Sequence, residues 1–445
     1  MGGQRTTSEP SSGRAIFEER GIKMNTEKYA LQKKTHQHYI LRTALNGFGK
    51  MQKSKWPVWM VALVLAMIIS LALTAHSLRE WVVSITAALV FCVSVPSMAF
   101  ALGYIPGAKD IYDNLVRIGM TNAAGEAPVP MQKTHKTGNI ETLCFYSKGF
   151  PLSAWQEMQE KLETGLDITI VGISEGASKR ETIIDYVPGN IVLPRKISWT
   201  CDYISDDNYE IRLGESVCGP VSINLAAAPH ILVGGTTGSG KTRLLELIAE
   251  QFIYKGGYLL LADFKGVDYG RFDGSVRIAH NNDELLSILD YLRQTFTERQ
   301  ERLQHAGCRN IDEYNAQGNN MGRIMLIIDE ASAVFDTTGR SKDDKDTIAK
   351  ILSAVLELTR LGRFAGIHIA IGTQRPDVNS VPGSVKANLA IRICGRMPDV
   401  ATSTVILDDG AAANLPAIPG RFLLRDGSGH ETILQAYIID DDMKG

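Results

Sequence analysis

The stretch HILVGGTTGSGKT, residues 230–242, determines the fold of the larger part of this 445-residue chain. It begins as an apolar run with the length of a buried strand, breaks into glycines and ends in Lys-Thr. Residues Gly235–Thr242 match the pattern G-x-x-x-x-G-K-[ST], and the helix-like stretch TRLLELIAEQFIY follows. A strand, a glycine-rich turn and a helix in this order predict a phosphate-binding P-loop.

The residues of this loop have distinct expected roles. Glycines let backbone N–H groups turn toward phosphate oxygens, and the helix N-terminus adds positive potential. We expect Lys241 to reach the β- and γ-phosphates and the Thr242 hydroxyl to coordinate Mg²⁺. The predicted nucleotide-binding residues are Gly235, Thr236, Thr237, Gly238, Ser239, Gly240, Lys241 and Thr242.

Two later apolar runs end in polar residues. RIMLIIDEA ends in Asp329 and Glu330. We expect Asp329 to join Thr242 in binding the metal, through water, and Glu330 to orient and deprotonate the attacking water. IHIAIGTQ places Gln374 at the carboxyl end of another strand, where α/β folds bind ligands and an amide can sense the γ-phosphate. The predicted cofactors are therefore ATP and Mg²⁺.

The order of elements after residue 226 predicts a parallel sheet wrapped by helices. Candidate strands are HILVGG, YLLLADF, RIMLIIDEA, IHIAIGTQ and LAIRICG. No N-K-x-D guanine specifier and no LSGGQ signature is present, which disfavours a small GTPase and an ABC transporter. We predict an α/β fold, with a P-loop (RecA-like) motor and a mostly parallel sheet at 226–445. Short alternating runs and one amphipathic helix predict a small α+β domain at 139–225.

Two long runs without charge precede these domains. Residues 56–75 and 81–105 are each long enough to cross a bilayer as a helix. The short connection between them predicts a transmembrane hairpin over 56–105, followed by an exit helix and linker over 106–138. We expect the polar segment 1–55 to be partly disordered.

The hairpin is preceded by a basic segment. Residues 28–55 contain seven Lys and Arg side chains and no acid. Under the positive-inside bias this segment stays in the cytoplasm, so a two-helix hairpin leaves both termini there. The sequence therefore predicts a multi-pass protein of the cell (plasma) membrane in contact with the lipid bilayer.

Composition agrees with a folded, intracellular protein. The chain is 44% hydrophobic and 22% charged, as in globular proteins. Its six cysteines are widely spaced, without a C-x-x-C pair or zinc-like spacing, which favours free thiols in a reducing cytosol.

Five blocks of the sequence form an ordered set over roughly residues 211–437. They are LGESVCGPVSINLAAAPHILVGGTTGSGKT, LLADFKGVDYGRF, ERQERLQHAGCRNIDEYN, LIIDEASAVF and GRFAGIHIAIGTQRPDVNSVPGSVKANLAIRI. In this order they resemble the motor of the FtsK/SpoIIIE family of DNA translocases. With two membrane helices, a small middle domain and one motor, the layout resembles the TcpA and ConQ type of coupling proteins of Gram-positive conjugative elements.

The resemblance implies further site residues. Arg363 matches the arginine finger that completes a neighbouring subunit's site in a hexameric ring, and Arg360 is a competing candidate. Arg375 and Lys386 match channel-loop positions that contact the DNA backbone. The acid and lysine of LLADFK, Asp263 and Lys265, have either a coupling role or only a solvated strand end.

The resemblance implies a membrane-anchored, homo-hexameric ATPase that moves DNA without sequence preference. We expect a coupling protein that passes a DNA–relaxase complex to the proteins of a conjugation channel. Three alternatives stay open: a chromosome or plasmid segregation pump, a type VII-like protein-export ATPase, and a membrane receptor that binds nucleotide without hydrolysis.

Overall fold

The computed structural model describes residues 36–51, 55–74, 77–136, 138–272, 274, 276–374, 376–377 and 380–440. Most of the predicted disordered segment, residues 1–35, and the predicted DNA contact Arg375 lie outside the described residues. The chain divides into two compact units at residues 191/192.

The first unit begins with helices. Ser77 caps the third of them, because its hydroxyl accepts from the Glu80 N–H while the Glu80 carboxylate accepts from the Ser77 N–H. Among the described residues, one helix, Leu78–Gly103, is long and apolar enough to cross a membrane. A second helix covers most of the run 56–75, and the two-helix membrane hairpin stays a prediction. The helices are α1 (36–51), α2 (Lys55–Leu73), α3 (Leu78–Gly103), α4 (Ala108–Arg117), α5 (Leu152–Glu157) and α6 (Gln159–Leu166).

An antiparallel sheet of four strands completes the first unit. Its strands are ordered β1-β2-β4-β3. The buried aromatic side chains Tyr112, Phe145 and Trp155 join this sheet to helices α4 and α5 in one core. The strands are β1 (Val129–His135), β2 (Glu141–Tyr146), β3 (Ile168–Glu175) and β4 (Glu181–Pro188).

The second unit is built on a sheet of eleven strands with helices on both faces. The strands are β5 (Ile197–Ser198), β6 (Glu210–Ser216), β7 (Gly219–Asn224), β8 (His230–Gly234), β9 (Tyr258–Ala262), β10 (Arg277–Ala279), β11 (Ile324–Ile328), β12 (Ile367–Thr373), β13 (Ile391–Gly395), β14 (Arg421–Arg425) and β15 (Glu431–Ile438). The helices are α7 (Lys241–Tyr254), α8 (Asn282–His305), α9 (Ile311–Ala316), α10 (Ala331–Phe335), α11 (Lys342–Leu361), α12 (Gly383–Lys386) and α13 (Val400–Leu407). Short 3₁₀ turns lie at Cys201–Tyr203, Gly270–Phe272, Gly362–Ala365 and Ala411–Asn414.

The order of this sheet explains where the site forms. Strands β10-β9-β11-β12-β8-β13 are parallel, and β14-β15-β6-β7 continue the sheet antiparallel. The five predicted strands are all present, as β8, β9, β11, β12 and β13. Their near-continuous apolar runs suit strands covered on both faces. Because parallel strands end at the same edge, the loops after β8, β9, β11 and β12 meet there.

The division between the units differs from the predicted boundary at 225/226. Strands β6 and β7 form a hairpin that pairs with β15, so they belong to the large sheet rather than to the smaller domain. This pairing joins segments far apart in the chain, and no local pattern indicates it.

Candidate active site

The P-loop connects the end of β8 to the start of α7. Gly238 and Gly240 adopt φ angles of 83° and 98°, a left-handed region that favours glycine. A Cβ at Gly240 would also lie 3.1 Å from the backbone nitrogen of Gly420. The Gly420 N–H donates to the Ser239 carbonyl at 2.8 Å. The segment before β14 therefore supports the loop from the side.

The P-loop lysine points into the sheet edge and contacts the acidic strand end. Lys241 is 3% exposed, and its Nζ donates to both the carbonyl and the Oδ1 of Asp329, each at 2.6 Å. The Thr242 hydroxyl lies 3.5 Å from the same Oδ1. The structure thus brings together the two residues predicted to bind the metal.

Asp329 has a further neighbour that the sequence analysis missed. The buried hydroxyl of Tyr269 donates to Asp329 Oδ1 at 3.1 Å. Burial raises the pKa of Tyr269 well above its usual value, and the neighbouring carboxylate adds to this, so the hydroxyl keeps its proton. Tyr269 lies in the loop after β9, within the block LLADFKGVDYGRF, and the sequence analysis gave it no role.

The second carboxylate oxygen of Asp329 is suited to bind a metal ion or a water molecule of its coordination shell. Asp329 Oδ2 is buried and has no hydrogen-bond partner among the described residues, and Lys265 Nζ lies 3.8 Å away. A carboxylate oxygen and a threonine hydroxyl beside a phosphate-binding loop are the protein oxygen ligands that Mg²⁺ takes, directly or through water, in P-loop sites. The residues present therefore fit the predicted Mg²⁺.

Glu330 is held in one orientation. Its carboxylate accepts hydrogen bonds from the Thr373 hydroxyl at 3.0 Å, from the Gln374 N–H at 3.0 Å and from the Ser332 hydroxyl at 2.8 Å. The Gln374 side chain in turn accepts from the Thr237 hydroxyl at 3.1 Å. The structure therefore places Glu330 and Gln374 beside the P-loop. Thr373 and Ser332, which fix the carboxylate, were not predicted.

A cavity of about 680 Å³ opens beside the P-loop. Five cationic side chains and one acid, Asp268, line it, which makes it suited to a polyanion. The lining also includes the apolar side chains of Ile418 and Pro419 and the ring of Tyr437, which suit a nucleotide base. The cationic side chains are Arg195, Lys196, Lys241, Arg243 and Lys265.

The acid and lysine after β9 have separate roles. Asp263 is 2% exposed and accepts from the backbone N–H groups of Lys265, Gly266 and Asp268. It therefore shapes the turn that directs Lys265 toward the cavity. Partial burial lowers the pKa of Lys265, but Asp329 and Asp268 outweigh it and the net shift is upward, so the side chain stays charged.

The candidate arginine finger lies away from the P-loop of its own chain. Arg363 precedes β12, at the edge of the sheet where the parallel strands begin, and its Nε donates to the Ala226 carbonyl at 3.0 Å. The Arg299 guanidinium stabilises the same turn by donating hydrogen bonds to the carbonyls of Ala365 and Gly322, at 2.6 and 2.7 Å. Arg360 is exposed in the last turn of α11.

The predicted DNA contact Lys386 is engaged within the chain. Its side chain is 13% exposed, and its Nζ pairs with Asp408 at 2.5 Å and donates to the Thr404 carbonyl at 2.9 Å. Arg392 pairs with the other oxygen of Asp408. Both cations therefore share one exposed carboxylate.

The fold and this site define the class of P-loop NTPases. A strand-loop-helix cradle for phosphate lies beside an Asp-Glu strand end and a polar residue on the adjacent strand. The FtsK/SpoIIIE family model matches residues 204–378. A solved structure of the pCW3 conjugation coupling protein TcpA, a monomer form with ATPγS, is 31% identical. The match covers 76% of this chain and 96% of that chain, with a TM-score of 0.56. The chain belongs to the FtsK/SpoIIIE family.

Curated relatives match over the motor. The DNA translocase FtsK of Staphylococcus aureus is 26% identical over 257 residues, which are 53% of this chain and 32% of the relative. The DNA translocase SftA of Bacillus subtilis is 29% identical over 247 residues, 52% of this chain and 25% of the relative. This chain therefore spans at most about a third of the length of these relatives.

Proposed function

We propose that this protein is a membrane-anchored ATPase that moves DNA, acting as the coupling protein of a conjugative element. The proposed ATPase activity rests on one observation. At the edge of a cationic cavity, four site residues lie close together: Lys241, Asp329, Glu330 and Gln374. The likeness to TcpA along 96% of that chain supports the coupling role. A DNA–relaxase complex is the proposed cargo, and channel proteins are the proposed partners.

Electrostatic attraction brings the nucleotide to the site. The triphosphate enters the cationic cavity, backbone N–H groups of the P-loop hold its oxygens, and Lys241 exchanges its contact with Asp329 for the β- and γ-phosphates. Thr242 and, through water, Asp329 would hold Mg²⁺, which would supply positive charge beside the phosphates. The side chains of Ile418, Pro419 and Tyr437 receive the base.

Hydrolysis depends on a fixed carboxylate. Glu330, oriented by Thr373 and Ser332, accepts a proton from the attacking water. Gln374 donates its backbone N–H to this carboxylate, and its amide links it to Thr237 in the P-loop. Loss of the γ-phosphate therefore changes the contacts of Gln374, which connects the end of β12 to the P-loop.

A neighbouring subunit completes the site in this proposal. Arg363 lies at the opposite edge of the sheet from the P-loop, so one chain cannot supply both groups to one nucleotide. A homo-hexameric ring places Arg363 of one subunit against the γ-phosphate of the next, where its charge stabilises the transition state.

Mixing two inactive variants tests this arrangement. A Lys241→Ala protein keeps Arg363, and an Arg363→Ala protein keeps the P-loop, so mixed rings regain complete sites. We expect ATP turnover to recover on mixing. An Arg360→Ala protein is the matched control and is expected to be active alone. If turnover does not recover on mixing, the assignment of Arg363 is wrong. It is also wrong if the Arg360→Ala protein is inactive while the Arg363→Ala protein is active.

The function itself is tested with the full chain in lipid nanodiscs. ATP turnover is measured with and without single- and double-stranded DNA at low and high salt, with Glu330→Gln as the hydrolysis control. Stimulation by DNA that fades with salt supports the translocase, because phosphate contacts release counterions. Basal turnover without a DNA effect favours protein export, and nucleotide binding without turnover favours the receptor alternative.

A further inference from the structure

Helix α1 carries one face that is fully covered by the first unit. Tyr39, Thr43, Gly47 and Met51 are spaced four residues apart and are buried. The contact with the end of α3 is close: a Cβ added at Gly47 would lie 1.6 Å from the Ala99 carbonyl oxygen. A Cβ at Gly103 would likewise lie 1.9 Å from the Thr43 carbonyl oxygen. The backbones of α1 and the last turn of α3 therefore touch.

The opposite face of α1 is apolar and exposed. Leu41, Leu45 and Phe48 are 58%, 49% and 41% exposed. Successive helical residues are about 100° apart, so these three side chains share one stripe that lies roughly opposite Thr43. We call this stripe the outer face of α1. A solvated surface helix carries polar side chains there, so this face requires an apolar environment.

The position of α1 identifies that environment. Helix α3 has 26 residues, so it is about 39 Å long, whereas the hydrocarbon core of a bilayer is about 30 Å thick. The last turn of α3 therefore extends into the interfacial layer when the helix spans the membrane. Helix α1 contacts this same turn, where Lys50 Nζ also donates to the Leu102 carbonyl at 3.2 Å.

Charge on the flanks of α1 favours a lipid surface over a protein partner. Residues 28–55 contain seven cations and no acid, and phospholipid surfaces of the cytoplasmic leaflet are anionic. Within α1, Arg42 stacks on the Tyr146 ring and Lys50 bonds to α3, so the other five cations lie before and after the helix in the sequence. Basic segments next to an apolar helix face are attracted to an anionic membrane surface. The basic side chains are Lys28, Lys33, Lys34, Arg42, Lys50, Lys53 and Lys55.

We propose that the outer face of α1 lies in the interfacial layer of an anionic bilayer, beside the cytoplasmic end of α3. The inference rests on the membrane anchoring in the proposed function. In this arrangement α1 fixes the first unit at the membrane surface through a contact separate from the spanning helix.

Fluorescence quenching of the full chain in nanodiscs containing phosphatidylglycerol tests the proposal. Exposed native cysteines Cys92 and Cys201 are first replaced by alanine. An environment-sensitive fluorophore is then attached in a Leu45→Cys protein. The matched control is Ile433→Cys in the second unit, since Ile433 is 45% exposed, close to the value for Leu45. Quenchers are aqueous iodide and lipids with a nitroxide at shallow depth.

We expect several-fold weaker iodide quenching at Leu45 than at Ile433, together with quenching by the shallow nitroxide at Leu45 only. Equal iodide quenching at both positions overturns the proposal. Protection from iodide without nitroxide quenching also overturns it, because a second copy of the chain or another protein then covers the face.

A third label separates this proposal from membrane anchoring itself. Leu89, 63% exposed in the middle of α3, is labelled in the same way and tested with a nitroxide deep in the acyl chains. Quenching at Leu89 without quenching at Leu45 rejects only the interfacial helix. Absence of quenching at Leu89 rejects the anchoring on which it rests.

Discussion

The individual side chains around Asp329 determine how the site binds charged groups. Lys241, Thr242 and Tyr269 all approach its Oδ1, and Lys265 approaches Oδ2. The P-loop motif and the acidic strand end were predictable because their chemistry is local to short motifs. Tyr269 was not, because its contact depends on the course of the loop after β9, which a one-dimensional pattern does not contain.

A Tyr269→Phe substitution removes one hydroxyl and leaves the ring packed. Without this donor the Asp329 carboxylate is less firmly placed, and a hydrogen bond to a charged group contributes about 1.5–3 kcal/mol at most. We expect the Mg²⁺ concentration for half-maximal ATP turnover to rise about fivefold, which corresponds to about 1 kcal/mol. Tyr254→Phe, at an exposed tyrosine of the same unit, is the control. Equal Mg²⁺ dependence of the two variants contradicts the role of Tyr269.

The pairing of Lys386 with Asp408 gives a second prediction at this scale. A DNA phosphate that meets Lys386 has to compete with Asp408. Asp408→Asn removes this ion pair and leaves Lys386 its hydrogen bond to the Thr404 carbonyl. We expect the half-saturating DNA concentration to fall by up to about fivefold, the range of an exposed ion pair. Lys386→Ala is expected to raise it. Asp409→Asn, which removes one of the two carboxylates paired with Arg425, serves as the neighbouring control.

At the scale of elements, the apolar runs of the sequence predicted the central strands but not how all the strands pair. Apolar runs such as IMLII suit a central parallel strand, and β11 has that role. Strands β6 and β7 alternate like strands of a small domain, yet they pair with the large sheet through β15. The alternation of apolar and polar residues indicates which face of a strand is buried. It does not indicate which other strand pairs with it.

The contact between the P-loop and the segment before β14 can be tested with glycines. Gly420 has φ 79°, and a Cβ there would lie 2.6 Å from Gln435 Nε2. Gly429 has φ 86° with no atom within 4 Å of such a Cβ. Alanine at either position carries a left-handed backbone cost of about 1–2 kcal/mol. Only Gly420→Ala also displaces the buried Gln435.

We therefore expect Gly420→Ala to weaken ATPγS binding by about fivefold, since its N–H supports Ser239, and a shift of about 1 kcal/mol gives that factor. Gly429→Ala is expected to keep the affinity of the unchanged protein. Isothermal titration of both variants measures this. Equal affinities would show that the contact does not support the loop.

For the molecule as a whole, two buried histidines predict how stability depends on pH. Burial lowers the pKa of His230 to about 4. Burial, with a further contribution from the neighbours His230 and Arg323, lowers the pKa of His368 to about 3. Both values are below the usual 6.5, so the unfolded chain binds more protons than the folded chain at mildly acidic pH. Stability is therefore complete above about pH 6.5 and decreases as the pH falls toward 4.

The slope is on the order of 1.4 kcal/mol per pH unit for each histidine. We expect the unfolding transition of the second unit, identified by its rise with ATPγS, to move to lower temperature between pH 7.5 and pH 5. His368→Gln is expected to lower the transition at pH 7.5 but to reduce its pH dependence. His305→Gln, at an exposed histidine, should leave the pH dependence unchanged. A transition temperature independent of pH contradicts the assignment.

Strand β15 lies between β14 and β6, and its Tyr437 hydroxyl bonds to Glu215, 222 residues earlier in the chain. During synthesis on the ribosome the β6–β7 hairpin leaves the exit tunnel long before its partner strand exists. Its unpaired edge then needs protection from other nascent chains. Closure of a loop this long is also slow compared with local hairpin formation. We therefore expect chaperone dependence during biogenesis to concentrate on this hairpin, and release from the chaperone to follow the translation of β15.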